Sequence, residues 1–185
     1  MKRCQWVGND PLMISYHDKE WGVPLNNDQK WFEFIVLDSF QAGLSWKTIL
    51  HKREGFRKAF FNFDVIKVSK MEESRMLELM EDKSIIRNKL KIRSTVSNAK
   101  AFIAIQKEFE SFNKYIWSFV DNKTIKNVTK QMSDLPAKTD LSDKISSDLK
   151  KRGFKFMGST ISYALLQASG IINDHTTDCF RYNKV

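Results

Sequence analysis

Residues 140–170 read DLSDKISSDLKKRGFKFMGSTISYALLQASG. The first half has the polar start and apolar periodicity of a capped helix, and Gly153 stops it. Gly158 and Gly170 bound a second helix. Gly153 to Gly158 is then a short turn between two helices, where glycine permits unusual φ and close backbone approach. Backbone N–H groups at the start of the second helix point outward and can receive a phosphate. Lys150, Lys151, Arg152 and Lys155 add positive charge, which raises affinity for nucleic acid without choosing a sequence. Two readings of the stretch stand: a DNA-backbone-binding helix–hairpin–helix, or an ordinary corner with solvated lysines.

Upstream, the pattern is also helical. DQKWFEFIVLDSFQ places Trp31, Phe32, Ile35 and Val36 at helical spacing, with Asp28 as N-cap. SWKTILHKREGFRKAF continues as a helix with a basic face, on which His51 reads as a surface residue. Asp64 caps VIKVSKM, and residues 72–80 form a further short helix. SIIRNKLKIRSTVSNAKAFIAIQKEF is the longest periodic run. Ile85, Leu90, Ile92, Val96, Ala99 and Ile103 mark its buried stripe, with Lys and Arg opposite. FNKYIWSFV adds a short helix, and the polar residues 121–140 read as a connecting loop. Almost nothing alternates with period two. The expected architecture is all-α, about eight helices in a single domain over residues 1–185. Residues 1–27, dense in Trp, Tyr, His and Asp, read as an irregular, site-forming segment.

The 185 residues carry 31 Lys and Arg against 22 Asp and Glu, a net charge of +9, which favours an anionic partner. A hydrophobic fraction of 42% is too high for a disordered chain. MKRCQWVGNDP has no apolar signal core, and no apolar run approaches the roughly 20 residues needed to span a bilayer. The chain therefore reads as cytoplasmic. Its two cysteines are then thiols rather than a disulfide.

Each cysteine has a histidine near it: Cys4 with His17, and His175 with Cys179. Cys₂His₂ is a common zinc set. The i, i+4 spacing of His175 and Cys179 lets both face one point if that turn is helical. By spacing alone the alternative is two buried thiols and two unrelated imidazoles. Trp6, Tyr16, Trp21, Asp38 and Trp46 form a second constellation. Aromatic faces stack on bases and attract cations, and a carboxylate beside them suits a flat, positively charged ligand. Read one at a time, the same residues are core indoles and a solvated acid.

Taken together, RCQWVGNDPLMISYHDKEWGVP, FQAGLSWKTILHKRE, IIRNKLKIRSTVSNAKAF, WSFV and LKKRGFKFMGSTISYALLQASGIINDH resemble the bacterial 3-methyladenine DNA glycosylase I family, in order and spacing, from residue 3 to about residue 179. The resemblance implies a helix–hairpin–helix DNA glycosylase fold. It also implies a structural zinc on Cys4, His17, His175 and Cys179 that joins segments 1–27 and 170–185. It places the base pocket at Trp6, Tyr16, Asp38 and Trp46, with Trp21 nearby. Asp38 takes the catalytic position. Gly43 and Leu44 match the loop that enters DNA, and Gly153, Lys155 and Gly158 fall in the hairpin. Two departures stand out: Asp38 where the family usually has Glu, and Met13 where it is often aromatic.

The activity implied is excision of 3-methyladenine from alkylated double-stranded DNA by base flipping, with the free base as product, no strand cleavage and no membrane partner. No lysine stands out as a Schiff-base nucleophile. Asp174, beside His175, is expected in a supporting role. The protein is expected to act as a monomer. The competing readings are a non-catalytic binder of alkylated DNA with the same fold, a basic helical module that binds RNA or DNA non-specifically and without zinc, and a glycosylase whose lesion range is shifted by Asp38.

Overall fold

A computed structural model describes residues 1–185. It is mostly helical, with ten α-helices, four short 3₁₀ turns and one pair of two-residue strands. The helices are α1 (Pro11–Lys19), α2 (Asp28–Gln41), α3 (Trp46–His51), α4 (Arg53–Ala59), α5 (Val65–Ser69), α6 (Glu73–Glu81), α7 (Lys89–Phe109), α8 (Phe112–Trp117), α9 (Asp140–Lys151) and α10 (Ser159–Ala168). No helix is long and apolar enough to cross a membrane.

Helix α2 is the axle of the molecule. Every residue from Trp31 to Phe40 is buried, so this helix is covered on all sides. It packs against α3, α7, α8 and α10. Its N-cap is Asn27, whose side chain accepts from the Lys30 N–H, and not Asp28. Asp28 instead reaches the start of α8, where its carboxylate accepts from the backbone N–H groups of Phe112 and Asn113 at 2.9 Å. An acid there satisfies orphan donors and meets the positive end of the helix dipole. The expected cap on α5 is present, with Asp64 accepting from Ile66 and Lys67.

Several expectations change. The segment 1–27 is not wholly irregular, because Asp10 caps α1 through the Leu12 and Met13 N–H groups and Pro11 opens that helix. The helix expected from Ser45 to Phe60 breaks at Lys52 into α3 and α4. On α7, Leu90 is 68% exposed, while Ile92, Val96, Ala99, Phe102 and Ile105 make the buried stripe. Ile85 is buried but precedes that helix.

The all-α expectation is also incomplete. β1 (Ile125–Lys126) pairs in parallel with β2 (Ile172–Asn173), and Thr129 bridges Thr176. Strands of two residues are too short to leave an alternating signature. The loop expected over 121–140 is thereby stitched to the C-terminal segment. Nearby, Gly170 at φ +73° lies so close to Val23 and Pro24 that an added Cβ would overlap their backbone. Leu25 N–H donates to Ser169 C=O at 3.0 Å, closing the same junction.

Helices α9 and α10 pack on each other across the turn that begins at Gly153 (φ +96°). Phe154 and Met157 point into the core, whereas Gly153 and Lys155 are exposed. The turn therefore displays its backbone while its apolar side chains anchor it.

Candidate active site and metal cluster

A cavity of about 670 Å³ opens beside α2. Trp6, Met13, Tyr16, Trp21, Asp38 and Trp46 all line it. The five aromatic and acidic residues singled out from the sequence thus share one chamber. Trp6 stands edge-on to Trp21 with ring centres 5.1 Å apart, and Tyr16 lies 5.1 Å from Trp46. Tyr16 and Asp38 are buried, at 3% and 2% exposure, while Trp6 and Trp46 are half-buried at the opening.

Two polar atoms in this chamber lack partners. Asp38 Oδ2 and Trp46 Nε1 are buried and make no hydrogen bond. Native interiors rarely leave such groups unsatisfied, because each costs roughly 1–3 kcal/mol, more when charged. Loss of hydration holds the Asp38 carboxyl well above the usual carboxylate range. Burial, and secondarily the nearby Asp38, also raises the Tyr16 phenol. The chamber therefore combines an acceptor and a donor without partners among π faces.

The rim comes from elsewhere. Gln41 and Ser45 line the cavity, and between them Gly43 (φ +82°) and Leu44 are exposed. Leu44, a large apolar residue, is 40% exposed. The opposite wall is formed by Met132, Leu135, Pro136 and Ala137, with Thr160, Tyr163 and Gln167 from α10. Sequence reasoning missed this wall. The signal was Met132, Leu135 and Pro136 set in an otherwise polar run.

Behind the α10 wall lies Asp174, fully buried. It accepts from the Tyr163 hydroxyl at 2.5 Å, the Gln167 amide at 2.8 Å and the Asn127 amide at 2.8 Å. These three donors explain how a carboxylate is tolerated there. They also orient two side chains that face the cavity.

The four Cys and His residues converge. The donor atoms of Cys4, His17, His175 and Cys179 all lie within 4.8 Å of one another, and all four residues are buried. Cys4 Sγ is 3.5 Å from His175 Nδ1, and Cys179 Sγ is 3.4 Å from His17 Nε2. The turn holding His175 and Cys179 is not helical. Asn173 positions it instead, with its Oδ1 accepting from the His175 N–H at 3.1 Å.

The outer ring nitrogens are also engaged: His17 Nδ1 sits 2.8 Å from Asp18, and His175 Nε2 lies 3.2 Å from the Trp21 carbonyl. Arg3 clamps Asp18 through two nitrogens. Such outer contacts fix a metal-binding imidazole's tautomer and orientation. Burial pushes the His175 ring down to about 4 and also lowers His17, so both are neutral, as metal ligands must be. Burial raises the Cys4 thiol to about 11, a cost that a bound cation reverses. The group can hold a metal ion.

A chamber of indoles with a buried acid, on a scaffold of net charge +9, suits a flat cationic ligand carried by an anionic partner. Comparison with known proteins places it further. The family model for methyladenine glycosylase matches residues 6–182. DNA-3-methyladenine glycosylase 1 of Escherichia coli is 46% identical, over 98% of this chain and 97% of its own length. The Haemophilus influenzae DNA-3-methyladenine glycosylase is also 46% identical, over 96% of each chain.

A crystal structure of 3-methyladenine DNA glycosylase I superposes with a TM-score of 0.94 at 46% identity, covering 97% of this chain and 98% of that one. A Staphylococcus aureus structure described as the structural basis of 3-methyladenine recognition gives 0.94 at 34% identity, over 97% of this chain and 96% of that one. The chain belongs to the methyladenine glycosylase family.

Proposed function

We propose that the chain is a DNA repair glycosylase that hydrolyses the N-glycosidic bond of 3-methyladenine in alkylated duplex DNA and releases the free base. One observation carries the reading: Asp38 Oδ2 is buried without a partner in an aromatic chamber. Methylation at N3 gives adenine a delocalised positive charge. That cation supplies the partner Asp38 lacks, while Trp6 and Trp46 offer electron-rich faces. An uncharged adenine could still donate an N6–H but would leave the buried acid's charge uncompensated, so discrimination follows from desolvation.

The target nucleotide must leave the stack to reach the chamber. Leu44 is the apolar wedge that fills the gap, with Gly43 allowing the loop to bend. Gly153, Lys155 and Gly158 form the backbone-binding surface of a helix–hairpin–helix fold within a single domain. Cleavage moves the C1′–N9 electron pair onto the base and neutralises its charge. Water adds to the oxocarbenium-like sugar and loses its proton to solvent. Tyr16 shapes the pocket and Trp21 closes its floor. The one lysine lining the cavity, Lys47, is paired with Asp10 at 3.2 Å rather than with Asp38, and the enzyme is read as monofunctional and monomeric.

The metal is zinc. Bonds of about 2.3 Å to sulfur and about 2.05 Å to nitrogen place tetrahedral S and N ligands roughly 3.6 Å apart. The S–N separations of 3.4–3.5 Å in the Cys4, His17, His175 and Cys179 cluster suit that edge. Bound there, zinc would act structurally, holding both chain ends against the pocket.

The deciding experiment measures release of 3-methyladenine from methylated duplex by the wild type and by Asp38→Asn. Release above a heat-only control, lost in Asn, supports the reading. No release by the wild type would leave a non-catalytic binder of alkylated DNA. A second reading rests on the short side chain of Asp38, which withdraws the carboxylate by about 1.5 Å relative to Glu, enough to change a direct hydrogen bond. On that reading the lesion range is shifted. Asp38→Glu then changes the ratio of 3-methyladenine to 3-methylguanine excised, and an unchanged ratio removes it.

A further inference from the structure

We infer that Lys91 and Asn98, on one face of α7, are positioning residues that set the reach of the two loops proposed to meet DNA. The inference rests on the reading of residues 43–44 and 153–158 as those loops. The Lys91 and Asn98 side chains are buried, at 7% and 1% exposure, in a helix whose charged residues other than Lys91 face solvent.

Lys91 Nζ donates to the carbonyls of Phe40 at 2.8 Å and Ala42 at 2.6 Å. These belong to the end of α2, where the last carbonyls have no helical partner and the dipole favours a cation. No basic residue of α2 itself occupies its last turn, so α7 supplies the cation. Gly43 and Leu44 follow directly. Asp38 lies one turn earlier, and Ser45 then caps α3, the helix that starts with Trp46. One ammonium group thus fixes the exit of the helix that bears the acid and the entry of the loop that bears the wedge.

Asn98 does the same for the hairpin. Its Oδ1 accepts from Lys155 N–H at 2.8 Å and its Nδ2 donates to Lys155 C=O at 3.0 Å, as a neighbouring strand would. This holds the turn while leaving the Lys155 side chain outside. The Phe156 ring, at the hairpin's only non-glycine residue with positive φ, lies 5.9 Å from Lys91 Nζ, so the hairpin also reaches the first anchor.

Residues 91 and 98 are seven apart, two helical turns, so they share a face about 10.5 Å apart along the axis. That is about three base-pair steps of duplex. A rigid helix with one anchor per loop keeps wedge and backbone grip at a fixed spacing.

The two anchors predict different kinetic defects. Lys91→Met is expected to lower the single-turnover rate of excision from methylated duplex at least tenfold. Its affinity for free 3-methyladenine, read by tryptophan fluorescence quenching, stays within twofold of wild type. In a Leu44→Ala background the same change costs less than twofold, because Lys91 acts through the wedge. Asn98→Ala is expected to weaken binding to a duplex with an abasic-site analogue at least fivefold and leave the saturated rate within twofold.

A full tenfold loss in the Leu44→Ala background, or a parallel fall in free-base affinity, would overturn the Lys91 role. Unchanged duplex affinity in Asn98→Ala would overturn the other. If Lys91→Met does not fold, Lys91→Gln, which keeps an amide donor group but removes the charge, carries the same comparison. A wild type that releases no base removes the proposed activity instead, and the abasic-duplex affinities still decide the Asn98 arm.

Discussion

The imidazole of His175 stands edge-on to the indole of Trp21, ring centres 4.5 Å apart, and its Nε2 lies 3.2 Å from the Trp21 carbonyl oxygen. Trp21 lines the cavity beside α2 and His175 belongs to the Cys/His cluster. The cluster and the pocket therefore share a wall. Gly22, next in sequence, is glycine because a Cβ there would come within 2.9 Å of His175 Nε2.

Metal loss should reach the pocket through that wall. The purified protein is expected to hold one zinc per chain by atomic absorption. Cys179→Ala, or chelation, should cost about 3 kcal/mol or more, seen as a Tm lower by roughly 6–12 °C for a chain of this size. Affinity for free 3-methyladenine should fall together with zinc content. A metal-free protein with unchanged melting and base affinity would contradict this.

Asp38 is expected to trade stability for function. Asp38→Asn should lower excision at least about 100-fold while stabilising the fold, because the native state keeps a carboxyl where ionisation is penalised. The folded value lies well above the unfolded 3.8, so the native state binds the proton more tightly. Wild-type stability then falls, relative to Asn, as pH rises above 3.8. The gain should exceed about 1 kcal/mol at pH 7.5 and vanish below pH 3.8. Denaturant melts at both pH values check it.

Two glycines should differ in what their loss costs. Gly153 has positive φ but open space around it, so Gly153→Ala should cost about 1 kcal/mol in stability and act mainly on DNA affinity. Gly170→Ala meets the backbone of Val23 and Pro24 and should cost more than about 3 kcal/mol. Thermal melts and duplex binding, measured side by side, separate the two.

Arg53 lies buried between two acids, donating to Glu33 at 2.9 Å and, through both terminal nitrogens, to Glu20 at 2.8–2.9 Å. Against the upward push of burial, Arg53 holds Glu33 below the usual glutamate value. Arg53→Met should cost about 3 kcal/mol by leaving Glu33 buried with less compensation, and adding Glu33→Met should recover most of it. Additive losses in the double variant would rule this out.

Helices α2, α5 and α9 were legible from their periodicity, although the cap on α2 is Asn27 rather than Asp28, and the convergence of Cys4, His17, His175 and Cys179 followed from the resemblance because spacing alone left it open. Others were hidden for physical reasons. Leu90 keeps helical phase yet faces solvent, because phase alone does not tell where a helix begins to be covered. Lys91 looks like a solvated lysine, but its ammonium is placed by carbonyls some 50 residues away in sequence. The wall at Met132 to Ala137 depends on β1 and β2 meeting, a long-range pairing of two residues each that no local pattern announces.

That pairing fixes the order in which the enzyme can come into being. During synthesis the wall of residues 132–137 emerges well before β2 and the His175–Cys179 turn to which it is stitched. Until those later residues leave the ribosome, the segment leading into the wall of residues 132–137 has no β2 or Thr176 to pair with. A nascent or prematurely ended chain would carry Leu44 and Asp38 without a closed cavity around them.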